Sequence, residues 1–324
     1  MLRWRTGAPH LSGAALIAFV FPGQGSQNVG MGEALAARFP EARETFEQAD
    51  AALGLPLTRL CYEGPLEQLT LTEYLQPALV TVSTAAARVL VARGVTPSFL
   101  AGHSLGEYSA HVAAGTLAFN DVVRAVRNRG RYMQEAVPVG VGAMAAVVGL
   151  DEAALAGACA EVAQGEVVSP ANLNAPGQIV IAGNRAAVER AGARAKELGA
   201  RRVVPLAVSA PFHCALMRPA EEKLAPELRS LVASDPLIPV VANVDAEPKR
   251  DAASAIDALV RQVTAPVRWE QVVRRLASEG VDTYVEVGPG SVLSGLIRRI
   301  DRSATVVPVS DPKSVEDALA SLVG

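Results

Sequence analysis

Ser98-Phe99-Leu100-Ala101-Gly102-His103-Ser104-Leu105-Gly106-Glu107 sets a short apolar run against a five-residue turn with glycine at both ends, and a helical pattern begins near Glu107. The run 98–101 reads as a buried strand. Strand, tight turn, helix is the order that a nucleophile elbow requires. Two glycines permit the cramped turn, and the serine hydroxyl is lifted above the sheet at a helix N-terminus, where backbone N–H groups can stabilise an oxyanion.

Outward from this stretch, strand-length apolar runs alternate with segments of helical period. Residues 15–21, 239–242, 283–287 and 305–307 read as further strands, and 73–92, 120–136, 218–232, 256–263 and 269–278 as helices between them. Short buried strands joined by helical crossovers imply a mostly parallel α/β sheet. Between 142 and 207 the rhythm changes to strand 143–148, helix 151–163, strands 167–173 and 178–182, helix 185–198 and strand 202–206. This βαββαβ order is that of a ferredoxin-like unit. The chain thus divides into a tail, 1–14, an α/β-hydrolase-like catalytic domain, 15–139 and 208–324, and an inserted ferredoxin-like subdomain, 140–207. Pro138, Gly140 and Gly142 at one end and Ser209 to Pro211 at the other are the expected hinges.

Composition narrows the function classes. The 324 residues carry 30 basic and 33 acidic side chains, a net charge of −3, with no basic run longer than two, which argues against a nucleic-acid binder. Three cysteines, Cys61, Cys159 and Cys214, are too few and too far apart for a disulfide framework or a zinc knuckle, and suit a reducing cytoplasm. No metal is expected. Arg3 and Arg5 precede the apolar run 14–21, but Pro9, His10 and Ser12 intervene, so the start reads as a tail leading into a strand rather than a secretory leader. No apolar run reaches the roughly 18 residues that a membrane span needs, so no membrane partner is expected.

A serine nucleophile needs a base, and the chain has four histidines: His10, His103, His111 and His213. His10 lies in the expected tail, His103 adjoins the serine, and His111 on the following helix suits a packed core. His213, in Ser209-Ala210-Pro211-Phe212-His213-Cys214, is the remaining candidate, with a satisfied structural histidine as the alternative. Serine before histidine is the α/β-hydrolase chain order. The turn Pro22-Gly23-Gln24-Gly25-Ser26-Gln27 lacks the third glycine of a dinucleotide fingerprint and suits oxyanion donors better than phosphate. Gly140-Val141-Gly142-Ala143-Met144-Ala145 has that spacing but follows a helix and opens a strand, so no nucleotide cofactor is expected. Arg129 occupies a place in the apolar stripe Val122, Val126, Met133 and Val137. A guanidinium on a buried face requires an internal carboxylate, a bound anion or a snorkelling path to water.

Taken together, 21–27, 102–110, 129–137, 172–182, 209–213, 262–269 and 285–290 resemble the malonyl-CoA:acyl carrier protein transacylases, in that family's motif order, from about residue 15 onward. About a dozen residues precede the family's usual start. The resemblance implies Ser104 as the acylated nucleophile and His213 as its base. It makes Arg129 the grip on the malonyl carboxylate, and Gln24 with the Leu105 N–H the oxyanion hole. Gln262 corresponds to a residue whose main-chain carbonyl orients the histidine. Phe212, before the base, is expected to narrow the acyl pocket against an α-methyl branch, with Leu105 and Met133 as the other pocket candidates.

The implied reaction passes malonyl from coenzyme A to Ser104 and then to the phosphopantetheine thiol of acyl carrier protein, with neither metal nor redox cofactor. The expected partners are malonyl-CoA and an acidic carrier protein, for which Arg185, Arg190, Arg194, Lys196, Arg201 and Arg202 are a candidate basic patch, and the expected state is a cytoplasmic monomer. Fatty acid biosynthesis and a polyketide synthase served in trans both fit. A serine thioesterase and a non-catalytic carrier-binding module are the readings from other classes.

Overall fold

The computed structural model describes residues 16–322, so the expected tail and His10 lie outside the described residues. Ten strands form two sheets: β1 (Leu16–Phe21), β2 (Phe99–Gly102), β3 (Gly142–Val148), β4 (Val168–Ala175), β5 (Gln178–Asn184), β6 (Arg202–Pro205), β7 (Val240–Val241), β8 (Pro248–Lys249), β9 (Val281–Val287) and β10 (Thr305–Val309). The larger sheet has the order β10-β9-β1-β2-β7-β8. Its pairs are parallel except the last, where β7 turns back into the two-residue β8, a strand too short to show in the sequence.

The continuous apolar runs follow from burial on both faces. Along β1, Phe19 and Phe21 face a core shared with the helix Thr72–Ala92 and the helix Phe119–Ala136. Ala18 and Val20 face the opposite core, where Trp269, Val272, Val273 and Leu276 of the helix Trp269–Ser278 pack. The helix Thr72–Ala92 is long and apolar enough to cross a membrane by composition alone, but it lies inside the fold, with 83% of its apolar window buried.

The smaller sheet has the order β4-β5-β3-β6, with every pair antiparallel. On one face Ala145, Val147, Ile179 and Ile181 pack against Leu155 and Cys159 of the helix Glu152–Val162 and Ala187, Val188 and Ala191 of the helix Arg185–Glu197. On the other, Met144, Ala171, Val180 and Ala182 meet Cys214, Phe212 and Leu216, the segment that carries His213. The sheet is also fastened at one edge. Leu173 N donates to Val267 O at 2.8 Å and Val267 N to Ala171 O at 2.9 Å. The expected hinge glycine Gly142 packs directly on Pro211.

Candidate active site

The turn after β1, the elbow after β2 and Asn243 after β7 lie at the carboxyl ends of adjacent parallel strands, where open α/β sheets form their sites. The elbow is cramped to the point of excluding side chains. A Cβ on Gly102 would lie 1.9 Å from Gly106 C, and one on Gly106 would lie 2.0 Å from Phe21 O. Between them Ser104 has φ 51°, a left-handed conformation that non-glycine residues rarely adopt and that turns its side chain off the strand's line. The helix Gly106–Ala113 starts immediately afterwards, and the Leu105 N–H at its N-cap has no acceptor among the described residues.

Ser104 Oγ lies 2.7 Å from His213 Nε2, and His213 Nδ1 lies 2.9 Å from Gln262 O. A carbonyl oxygen only accepts, so Nδ1 carries the proton and Nε2 presents its lone pair to the serine hydroxyl. His213 is 3% exposed, and it too has a left-handed backbone, φ 60°. Burial, with the Arg129 charge second, pushes its pKa down to about 3, so it stays neutral and able to accept a proton. His111 is buried, with no partner on either ring nitrogen among the described residues. His103 Nε2 is 2.9 Å from Asn174 Oδ1 on β4, away from the serine hydroxyl.

Arg129 is 1% exposed, and no carboxylate lies within ion-pair distance of it among the described residues. Its hydrogen-bond partners are neutral. Nη1 donates to Gln76 Oε1 at 2.9 Å, and Nη2 donates to Gln262 Oε1 at 3.0 Å and to Ser104 Oγ at 3.2 Å. Nε has no partner, and the guanidinium carbon stands 5.4 Å from the ring centre of Tyr108. Of the alternatives open in the sequence, an internal carboxylate in direct contact is absent among the described residues. The site holds a full positive charge beside a serine–histidine pair, unneutralised by direct contact, which is the arrangement an anionic acyl group would complete.

A cavity of about 600 Å³ opens onto this group. Gln24, Ser104, Arg129, Met133, Phe212 and His213 line it, with Met144 and Asn172 from the small sheet. Leu105 is buried behind the serine. Gln24 is exposed to the cavity, and Gln76 Nε2 approaches its Oε1 at 3.5 Å.

Three polar groups beneath the site escaped the sequence reading. Asn243 Oδ1 accepts from Ser104 N at 2.7 Å while its Nδ2 donates to Gly102 O at 2.7 Å, so one amide spans the elbow. Its place just past an apolar strand was the available signal. Glu107 accepts from Gln262 Nε2 at 2.7 Å and from Asn243 N at 3.0 Å, and Gln76 holds Arg129 from the helix Thr72–Ala92. Glu107 reads in sequence as an ordinary first-turn acid, and Gln76 as one polar residue on a long apolar helix.

The expected basic patch is partly spent. Arg190 pairs with Glu166 at 2.8 Å and Arg194 with Glu161 at 2.9 Å and Glu197 at 3.0 Å, whereas Lys196, Arg201 and Arg202 have no carboxylate partner among the described residues.

Residues 18–319 match the acyl transferase domain family. The malonyl CoA-acyl carrier protein transacylase of Salmonella typhimurium is 54% identical over 303 residues, covering 93% of this chain and 98% of that protein. That of Bacillus subtilis is 49% identical over 307 residues, covering 94% and 97%. The solved malonyl CoA-acyl carrier protein transacylase from Coxiella burnetii superposes with a TM-score of 0.93 at 43% identity, covering 96% of this chain and 99% of that one. A malonyl-transacylase solved in complex with a type II PKS acyl-carrier protein gives 0.92 at 49% identity, covering 95% and 100%. The chain belongs to the acyl transferase domain family, among its malonyl CoA-acyl carrier protein transacylases.

Proposed function

We propose that this acyltransferase moves malonyl from malonyl-CoA to the phosphopantetheine thiol of acyl carrier protein through a malonyl-Ser104 intermediate. The observation that carries the reading is Arg129, a buried guanidinium without a carboxylate, hydrogen-bonded to the hydroxyl that His213 also contacts. Ser104 Oγ attacks the thioester carbonyl as its proton passes to His213 Nε2. The oxyanion is held by the Leu105 N–H and Gln24, and Gln262 O steadies the imidazolium through Nδ1–H. Collapse expels the coenzyme A thiol with the proton from His213. The carrier thiol then gives its proton to His213 and attacks the acyl-serine, which restores the free hydroxyl. No oxidation state changes and His213 carries each proton, so the proposed steps call on neither a redox cofactor nor a metal.

Residues 140–207 form in this reading a ferredoxin-like lobe over the catalytic domain, 15–139 and 208–324. The three described cysteines are buried free thiols, which suits a reducing cytoplasm. We read the protein as a monomer serving fatty acid biosynthesis. The relative that was solved with a type II PKS carrier favours polyketide supply as the second reading.

Incubation with malonyl-CoA and intact-mass measurement tests the proposal. A malonyl adduct should form and should pass to holo carrier protein much faster than to water. Rapid hydrolysis with no carrier dependence makes the protein a thioesterase instead. Comparing fatty acid and polyketide carriers as acceptors separates the two pathways.

A further inference from the structure

Beneath the dyad lies a carboxylate that the transfer reaction does not itself use. Glu107, three residues after Ser104, is 0% exposed, and no cation lies within ion-pair distance of it among the described residues. An acid that served only the helix N-terminus would do so from the surface, without the cost of burial. Oε2 instead accepts from Gln262 Nε2 at 2.7 Å and from Asn243 N at 3.0 Å, while Oε1 has no partner among the described residues; the same Nε2 also donates to Ser104 O at 3.0 Å.

The two ends of a glutamine amide are chemically opposite, and Glu107 Oε2, which takes the Asn243 N–H, acts there as an acceptor. The end of Gln262 that meets Glu107 is therefore the NH₂, and Oε1 is left facing Arg129 Nη2 at 3.0 Å. With the amide reversed, an NH₂ group would confront the guanidinium and the carboxylate would face an oxygen. We infer that Glu107 is a positioning residue for acyl selectivity, fixing the Gln262 amide so that its oxygen holds Arg129 beside Ser104. The inference rests on the reading of Arg129 as the grip on the malonyl carboxylate. Glutamine at 107 can set its own amide oxygen at the place of Oε2 and keep both bonds, so removing the function requires a side chain with no acceptor.

The test compares wild type, Glu107→Met, Gln262→Met and the double variant for kcat/KM on malonyl-CoA and acetyl-CoA, with holo carrier protein as acceptor and thermal midpoints recorded. Glu107→Met should lower the malonyl-to-acetyl ratio about tenfold, and Gln262→Met by a comparable factor. The double variant should fall no further than Gln262→Met alone, because no amide is left to orient. A purely structural carboxylate would lower the thermal midpoint and leave the ratio unchanged. An unchanged ratio in either single variant, or losses that multiply in the double variant, overturns the inference. A wild type with no malonyl preference would instead overturn the reading of Arg129.

Discussion

Arg129 on the cavity wall and Arg194 on the outer helix of the small sheet have opposite surroundings. Arg194 is partly exposed and touches two carboxylates, whereas Arg129 is buried and touches none. An exposed pair exchanges water for a screened partner and adds little to stability. A buried guanidinium held only by amide and hydroxyl oxygens keeps most of its charge unanswered. The difference teaches that Arg194 on the outer face is answered by its own carboxylates, while Arg129 in the cavity has none in direct contact among the described residues.

The comparison breaks first at the reacting atoms. Ser104→Ala should abolish the malonyl adduct in intact-mass measurements, and His213→Ala should slow acylation by on the order of 10²–10⁴. A normal adduct on Ser104→Ala would remove the serine from the reaction. Next comes the charge itself. Truncating one partner of a desolvated charge pair costs about 2–5 kcal/mol, so Arg129→Ala should lose malonyl transfer and gain relative activity on acetyl-CoA. Gln76→Glu sharpens the point by giving Arg129 the internal carboxylate it lacks, and competition between the two thioesters should then show the malonyl preference collapse. Retention of that preference would mean that the charge does not select the acyl group.

Phe212 lines the cavity beside the base. If its ring narrows the acyl pocket, wild type should prefer malonyl-CoA over methylmalonyl-CoA by roughly 10- to 200-fold in kcat/KM, and Phe212→Ser should reduce that gap. An unchanged ratio would place selectivity at Met133 or Leu105.

The smallest effects concern titration and the outer face. His111 and His213 are pushed down to about 3 and Glu107 up to about 7, all mainly by burial. The histidines contribute stability that is present above about pH 6.5 and is lost as pH falls toward 3. The carboxyl contributes stability that is present below its ordinary value and lost as pH rises toward 7. Denaturant midpoints of His111→Phe should therefore fall less steeply with acid than those of wild type, and an identical slope would refute the assignment. On the outer face, charge reversal at Arg201 and Arg202 should raise the carrier KM in a salt-dependent way. Arg190→Ala should raise it less, because Glu166 already occupies that side chain.

The strands other than β8, and helices such as Thr72–Ala92, Phe119–Ala136 and Trp269–Ser278, were legible because double burial produces continuous apolar runs and because the crossovers end at glycine, proline or polar turns. The helices Pro40–Leu53, Val292–Ile300 and Pro312–Leu322 escaped the sequence reading. Ser104 was legible because its constraint is local: two glycines bracket it. Arg129 was legible as an anomaly in a stripe, though its partners were not. Gln76, Glu107 and Asn243 come from three separate segments and reach their partners, among them Arg129 and the Gln262 that the resemblance names, only after folding, and each satisfies its local context well enough to escape notice. The left-handed backbone at His213 left no mark either, since no glycine or asparagine stands there.

Val267 stitches the small sheet to the large domain through two backbone hydrogen bonds, and it lies five residues after Gln262, whose carbonyl aims the histidine. Swinging the roof away from that edge means breaking the stitch and pulling on the same short length of chain that aligns the base. The chamber has in effect no door that opens without disturbing the works. Under the proposed reaction, a pantetheine arm enters the cavity with the roof still fastened, and shielding of the acyl-serine from water falls to whatever fills the cavity.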